Sequence, residues 1–154
     1  MKPLKTPPPI ETYLNVEASY DTFFTGGYVQ SVAGLTTWKL QDDLDRYERI
    51  IAETRPDVVV ETGTKWGGSA RWFESRGVDV ITVDIDGSNS KKARPHCTRV
   101  EWVVGDSIAT STFNEVARLV RGRRAMVSLD SEHAAPHVCD EIVMYRELVS
   151  PGCY

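Results

Sequence analysis

A run of three valines at positions 58–60 constrains the fold of this chain more than any other feature. A continuous β-branched run without alternating polar residues is typical of a strand buried on both faces, as in a parallel sheet covered by helices. Upstream, apolar residues repeat at helical spacing from Leu40 to Ile51. Pro56 ends this pattern, because proline disfavours the helical conformation of the residue before it. The sequence therefore predicts a helix from about residue 41, followed by a buried strand.

The same unit of strand and helix recurs along the rest of the chain. Apolar runs predict further strands over 79–84, 99–104 and 125–129, and the beginning of another at Cys153-Tyr154. Helical spacing predicts helices over 68–76, 111–121 and from Pro136 onward. The apolar face of the last helix is expected to hold Val138, Ile142, Tyr145 and Val149. This alternation predicts an α/β fold: a Rossmann-like doubly wound parallel sheet, truncated after about four strands.

Length and composition limit the domain organisation and the class of partner. A chain of 154 residues fits one domain. We expect residues 1–37 to form a tail and an irregular cover, in which short helical pieces over a pocket are one alternative, and residues 38–154 to form the incomplete Rossmann-like domain. The net charge of −4 argues against nucleic acid as the main partner. The sequence also shows no apolar run long enough for a membrane span and no export signal, and its unpaired cysteines suit a reducing cytoplasm.

Each predicted strand ends in a carboxylate. These residues are Glu61, Asp84, Asp106 and Asp130. In open α/β sheets, ligands bind in the crevice outside the carboxyl ends of the strands. We therefore expect the four side chains to surround one ligand site.

The loop after the first of these strands reads E-x-G-x-x-x-G-G, beginning at Glu61. It matches neither the dinucleotide fingerprint G-x-G-x-x-G nor a P-loop. Its acidic residue would repel a phosphate but suits a cation such as S-adenosylmethionine (SAM), which carries an ammonium and a sulfonium. The cofactor-binding residues predicted here are Glu61, Gly63, Thr64, Gly68 and Ser69. The alternative interpretation is a plain joint between strand and helix that needs small residues.

The next two strand ends have distinct expected roles. Asp84 stands where Rossmann-type proteins place a carboxylate on the ribose hydroxyls. Asp106 can accept a hydrogen bond from an adenine amino group, with Ser107 beside it. For this pair, capping of the next helix is an equal alternative.

Polar residues after the fourth strand are candidates for the chemistry. Asp130 can bind a divalent metal, which prefers carboxylate oxygen. His133 can take a proton from a substrate hydroxyl, since its ordinary pKa is near neutrality. His137 is expected to be an exposed helix residue.

Several segments, taken in this order, resemble the cephalosporin hydroxylase family, which includes relatives of rhamnosyl O-methyltransferases. They are residues 37–40, 55–64, 67–70, 83–86, 129–131 with His133 and His137-Val138, and 148–152. The resemblance covers the chain from Trp38 to Tyr154. It implies a SAM-dependent methyltransferase with a magnesium site, in which Asp130 is the first metal ligand and His133 is the base. Two further acidic ligands are expected after the fifth strand, beyond Tyr154.

The favoured function is therefore a metal-assisted O-methyltransferase that uses SAM and acts on a hydroxyl of a small molecule or sugar. One alternative is a non-catalytic fragment that binds the cofactor or a partner chain. Another is an oxidoreductase with a nicotinamide cofactor, although the dinucleotide fingerprint is missing. A homo-oligomer is also expected as one way to cover the exposed edge of an incomplete sheet.

Overall fold

The structure of the protein, a computed structural model, describes residues 28–154. In chain order its elements are β1 (Tyr28–Val32), β2 (Leu35–Leu40), α1 (Gln41–Thr54), β3 (Val58–Thr62), α2 (Gly68–Ser75), β4 (Asp79–Asp84), β5 (Val100–Val104), α3 (Thr110–Val120), β6 (Ala125–Leu129) and α4 (Ala135–Tyr145). Short 3-10 turns lie at Asn89–Lys92, Arg94–His96 and Arg146–Leu148.

Four parallel strands form the central sheet in the order β5-β4-β3-β6. In register, Val58 pairs with Asp79 of β4 on one side and with Ala125 of β6 on the other. The chain therefore runs outward from β3 to β5 and then returns to the opposite side of β3. This reversal is the topological switch point at which doubly wound folds bind ligands. The predicted α/β class and its parallel sheet are confirmed.

The core has two layers, one on each face of the sheet. Val59 packs on one side with Leu44 of α1 and Phe73 of α2. Val58 and Val60 pack on the other with Val116 of α3 and Tyr145 of α4. All three valines are fully buried, as the β-branched run predicts.

A β-hairpin precedes the sheet, and the sequence did not predict it. β1 and β2 pair antiparallel, and the turn between them uses Ala33 and Gly34, both with positive φ. Such a turn matches the twist of a hairpin, but Ala-Gly is a weaker sequence signal than Asn-Gly. The helical pieces proposed for this region are therefore absent from residues 28–38. The expected division between residues 37 and 38 falls inside β2, and the tail predicted over residues 1–27 lies outside the described residues.

α4 presents a different face to the sheet from the one predicted. Tyr145 is buried as expected, but Ile142 is 52% exposed and Val143 is exposed beside it. The other buried residue of this helix is Glu141. Its carboxylate accepts a hydrogen bond from the Ser131 hydroxyl at 2.6 Å. The prediction from apolar spacing was wrong about this face because Glu141, although charged, is buried and hydrogen-bonded to Ser131.

Cys153-Tyr154 is not itself assigned to a strand in the described residues, and the start of a fifth strand there stays a prediction. Tyr154 nevertheless lies beside β6, where its carbonyl accepts a hydrogen bond from the backbone N–H of Val127 at 2.9 Å. Among the elements of residues 28–154, no helix has the length and apolar character needed to cross a membrane.

Candidate cofactor site

A cavity of about 630 Å³ lies at the carboxyl ends of the four parallel strands. Its volume is in the range of small-molecule sites, roughly 300–1,000 Å³. The predicted site residues that line it are Gly63, Thr64, Gly68, Ser69, Asp84, Asp106, Ser107, Asp130 and His133. Thr36, Thr37 and Lys39 of β2 also line it, and sequence reasoning missed them as site residues. The fold therefore brings together nearly all of the residues that the strand-end argument selected.

The glycines of the loop after β3 are required by packing within the protein. Gly63 has φ of +86°, and a Cβ there would lie 2.0 Å from the carbonyl oxygen of Asp130. A Cβ on Gly68 would lie 2.3 Å from the carbonyl oxygen of Thr36. No larger residue fits either position without moving backbone. The alternative interpretation, a tight joint between β3 and α2 that needs small residues, therefore explains both glycines. Their contact with a ligand stays a prediction.

Glu61 lies beneath the cavity and does not line it. The side chain is fully buried, and its Oε2 accepts a hydrogen bond from Thr82 Oγ1 at 3.0 Å. Thr82 also shares a hydrogen bond of 2.6 Å with Thr64, which does reach the cavity. Glu61 is thus linked to the cavity through Thr82 and Thr64, and its contact with a cationic ligand stays a prediction.

The Glu61 carboxyl is electrostatically exceptional. Burial raises its pKa to about 7, although the nearby Lys39 ammonium and the hydroxyls of Ser69 and Thr82 lower it. Its second oxygen, Oε1, is buried and has no hydrogen-bond partner within the described residues. Burial therefore favours the neutral form of this carboxyl, and the Lys39 ammonium offsets that effect only in part.

Lys39, Asp130 and His133 form a line of contacts across the mouth of the cavity. The Lys39 ammonium donates a hydrogen bond to Asp130 Oδ2, and His133 Nε2 lies 3.3 Å from Asp130 Oδ1. Burial lowers the pKa of Lys39, but the charges of Glu61 and Asp130 outweigh burial, so that the pKa is raised overall. The Lys39 side chain is only 10% exposed, whereas that of His133 is 81% exposed.

Asp84 borders the cavity and holds the loops after β3 and β4 by accepting backbone hydrogen bonds from both. Its Oδ2 accepts the backbone N–H of Lys65 at 2.7 Å, and its Oδ1 accepts that of Asp86 at 2.8 Å. A carboxylate has about four acceptor positions, so lone pairs remain for ligand hydroxyls. Ile85 follows it with 74% of its surface exposed beside the cavity.

Asp106 and Ser107 do not cap α3. The residue at the helix N-cap is Ala109, with no side-chain cap, so the predicted capping alternative is wrong for Asp106 and Ser107. Asp106 instead accepts the N–H of Ile108 at 3.1 Å in the turn after β5. Ser107 is buried and shares a 3.0 Å hydrogen bond with His137 Nε2.

His137 is not the exposed helix residue that the sequence suggested. Its side chain is 19% exposed, lines the cavity and lies 3.6 Å from Glu141 Oε1. The missed signal is the spacing of His137 and Glu141, one helical turn apart, which places both on the face of α4 that meets the strand ends.

The sequence profile of the Rhamnosyl O-methyltransferase/CmcI family matches residues 27–154. The chain belongs to this family. Among curated relatives, the Rhamnosyl O-methyltransferase of Mycobacterium tuberculosis is 30% identical over 154 residues, covering 90% of this chain and 61% of the relative. That of Mycobacterium leprae is 25% identical, covering 91% of this chain and 66% of the relative. The chain therefore spans about three fifths of the length of the Mycobacterium tuberculosis relative.

Solved structures support the same fold. A structure of CmcI with Mg and SAM aligns with a TM-score of 0.64 at 21% identity, covering 99% of this chain and 66% of that one. MycE Methyltransferase from the Mycinamycin Biosynthetic Pathway, in complex with Mg and SAH, aligns with a TM-score of 0.55 at 21% identity, covering 96% of this chain and 34% of that one. The Rossmann-like architecture of the family is thus present in residues 28–154.

The carboxylates around the cavity are the side chains that could hold a magnesium ion. Over residues 28–154, no group of three or more His, Cys, Asp or Glu side chains is placed to hold a metal. Magnesium prefers octahedral oxygen ligands, but Asp130 already has the Lys39 ammonium on one of its two oxygens. The described residues therefore do not by themselves fit a magnesium site, and a metal role for Asp130 stays a prediction.

Proposed function

We propose that this chain is the cofactor-binding part of a SAM-dependent O-methyltransferase whose acceptor is a sugar hydroxyl. The observation that carries the proposal is the convergence of Asp84, Asp106 and Asp130 on one cavity at the switch point of the sheet. Family membership supports methyl transfer, and relatives named Rhamnosyl O-methyltransferase support a sugar acceptor.

The residues present suit this cofactor. SAM carries an ammonium, and the Glu61 carboxyl beneath the loop would favour a positive charge in that region of the cavity when it is ionised. Asp84 can accept hydrogen bonds from ribose hydroxyls, beside the exposed apolar surface of Ile85. Asp106 and Ser107, which follow β5, would face the adenine, and Thr64 and Ser69 would lie nearer the methionine portion.

His133 is the group best placed to accept a proton from the acceptor hydroxyl. SAM, when bound, would supply an electrophilic methyl, to which the acceptor oxygen would bond as the bond from that carbon to the sulfonium sulfur breaks. The hydroxyl proton passes to the imidazole, whose charge is then balanced by Asp130 at 3.3 Å. Walls from β2 and from the loops after β3 and β6 would hold the acceptor oxygen in line, and such orientation supplies much of the rate in transfers between two bound reactants.

Calorimetric titration of the 154-residue chain with SAM and with SAH tests the cofactor assignment. We expect saturable binding of both. Transfer of a radiolabelled methyl from SAM to an alkyl rhamnoside tests the acceptor class, with the corresponding deoxy sugars as controls. If neither this chain nor a version extended to the length of its relatives binds either cofactor, the proposal is wrong.

A second candidate is a module that binds cofactor without turnover. It is favoured by the absence of a three-ligand metal cluster from residues 28–154 and by the large exposure of His133. Methyl transfer by this exact chain would eliminate it. Tight binding of reduced nicotinamide dinucleotide in a fluorescence titration would instead favour an oxidoreductase.

We further propose a cytoplasmic protein that does not bind nucleic acid. Cys97, Cys139 and Cys153 are all unpaired, which suits a reducing compartment. The net charge of −4 opposes association with phosphate backbones. We also propose that two copies of the chain associate at the β6 edge of the sheet. Light scattering, which measures the mass in solution, tests this.

A further inference from the structure

We infer that His137 is a positioning residue that makes the Ser107 hydroxyl a hydrogen-bond donor to a ring nitrogen of the cofactor's base. The inference rests on the proposed function, in which Ser107 faces the adenine. It goes beyond that function because it gives a residue of α4 a role and one hydrogen bond a direction. Both side chains line the cavity.

Helix α4 holds Ser107 at two separate atoms. The buried Tyr145 hydroxyl donates a hydrogen bond to the Ser107 carbonyl oxygen at 3.0 Å. His137 Nε2 lies 3.0 Å from the Ser107 hydroxyl oxygen. Because Tyr145 already anchors the backbone of this turn, the contact with His137 acts on the hydroxyl and on the direction in which it points.

The surroundings of His137 Nε2 require a hydrogen on that nitrogen. Oε1 of Glu141, a residue only 1% exposed, lies 3.6 Å away. The Ser131 hydroxyl oxygen lies 3.4 Å away, but its hydrogen is donated to Glu141 Oε1 at 2.6 Å, so it presents lone pairs to the imidazole. A ring nitrogen that faces two such acceptors carries a hydrogen, in the neutral Nε2–H tautomer and in the imidazolium alike.

The Ser107 hydroxyl therefore accepts a hydrogen bond from His137, and its own hydrogen points elsewhere. A hydroxyl has one hydrogen and two lone pairs, and its hydrogen rotates toward the acceptor that is available. Ser107 is 6% exposed and borders the cavity, so that its hydrogen is directed to a partner in the cavity. Ring nitrogens of adenine are acceptors, whereas the 6-amino group is a donor. A donating Ser107 thus complements a ring nitrogen, and the Asp106 carboxylate complements the amino group.

Calorimetry on the full 154-residue chain tests the direction of this hydrogen bond. The ligands are SAH and its 1-deaza, 3-deaza and 7-deaza analogues, each with a C–H group in place of one ring nitrogen of the adenine. In the wild type we expect one analogue to bind about 3- to 10-fold more weakly than SAH, the size of one hydrogen bond between neutral groups. In Ser107→Ala, SAH should bind no better than that analogue. Equal affinities of the wild type for all four ligands, or discrimination that persists in Ser107→Ala, would overturn the inference.

Variants at residue 137 separate positioning from a merely structural role. In His137→Phe the Ser107 hydrogen can turn toward the Glu141 carboxylate, which has lost its imidazole neighbour. We therefore expect SAH to bind more weakly and the sensitive analogue to bind as before, so that discrimination falls to about twofold or less. His137→Gln, whose amide can still donate to the hydroxyl, should keep most of it. His96→Phe, at an exposed histidine outside the cavity, is the control. Equal weakening of SAH and every analogue in His137→Phe would show a structural role and contradict the inference.

Nuclear magnetic resonance of the His137 imidazole in the wild type needs neither a variant nor a ligand. We expect a hydrogen on Nε2, and a neutral ring with its hydrogen on Nδ1 would overturn the inference even if SAH binds. The two proposals fail in different ways. If neither the wild-type chain nor its extended version binds SAH, the proposed function is wrong and the role of Ser107 toward a base falls with it. SAH binding without discrimination among the analogues overturns the positioning role alone.

Discussion

Gly63 touches the backbone of Asp130, so that the loops after β3 and β6 meet at the base of the cavity. A Cβ at Gly63 would lie 2.0 Å from the carbonyl oxygen of Asp130 and 2.9 Å from the α-carbon of Ser131. Neither neighbour is the flexible end of a side chain. The position of Asp130 relative to the loop after β3 therefore depends on the absence of a side chain at residue 63.

Gly63→Ala is expected to destabilise the protein and to abolish SAH binding. The positive φ alone costs roughly 1–2 kcal/mol for alanine, and forced displacement of packed backbone adds about 1–3 kcal/mol. Gly77→Ala is the matched control, because Gly77 has φ of +81° but nothing within 4 Å of its Cβ position. Urea denaturation should show the larger loss at Gly63, and calorimetry should show SAH binding retained in Gly77→Ala. Equal losses of stability in the two variants would contradict the packing argument.

Asp84→Ala is expected to weaken SAH binding by about 10- to 100-fold, the equivalent of one hydrogen bond to a charged group at roughly 1.5–3 kcal/mol. The variant also loses the acceptor for the N–H groups of Lys65 and Asp86. Asp79→Ala is the control, since Asp79 begins the same strand at the end remote from the cavity and pairs with Arg99 and Arg123. Calorimetric titration with SAH measures the affinity of both variants. A comparable loss of SAH affinity in Asp79→Ala would contradict a specific role for Asp84 in binding.

Much of this arrangement was predictable from sequence, for a physical reason. Strands buried on both faces are mostly apolar, so a polar residue after such a run usually marks the strand end, as at Asp84 and Asp130. Glu61 is an exception, because it lies inside β3. Lys39 was not predictable in this way, because a lysine in an apolar stretch usually lies at the surface. Its partner is 91 residues away. Glu141 was missed for the same reason: its burial depends on Ser131, which only the fold brings near.

Glu61→Gln is expected to make stability less sensitive to pH. Burial raises the pKa of Glu61 from 4.5 to about 7, so between these values the folded protein binds more protons than the unfolded chain. The contribution of the protonated carboxyl is fully present below pH 4.5 and is lost as the pH rises toward 7. The free energy of unfolding of Glu61→Gln, relative to that of the wild type, should therefore rise between pH 5 and pH 8, a gain on the order of 3 kcal/mol.

Urea denaturation of the two proteins at several pH values measures this gain. Glu53→Gln, which changes an exposed carboxylate on α1, serves as the control and should show no such trend. A difference between Glu61→Gln and the wild type that stays constant across this range would mean that Glu61 does not titrate within it.

Glu74→Ala is expected to cost about 3–5 kcal/mol in the free energy of unfolding, as when a buried charge pair loses one partner. The side chain is 4% exposed at the end of α2. Its Oε1 accepts the N–H groups of Thr98 at 2.6 Å and Arg99 at 2.7 Å, and its Oε2 accepts Arg71 at 2.6 Å. Burial raises the pKa of Glu74, but these donors outweigh burial and lower it overall.

Because the folded pKa of Glu74 lies below its unfolded value of 4.5, its stabilisation is present above that pH and is lost as the pH falls further. Glu115→Ala is the control, since Glu115 pairs with Arg118 on the exposed surface of α3 and its removal should change stability little. Denaturation at pH 7 and below pH 4 should show the cost of Glu74→Ala shrinking in acid. Glu74 does not line the cavity, so the folded variant should still bind SAH at low temperature. Loss of binding in a folded Glu74→Ala protein would show instead that the segment before β5 controls the site.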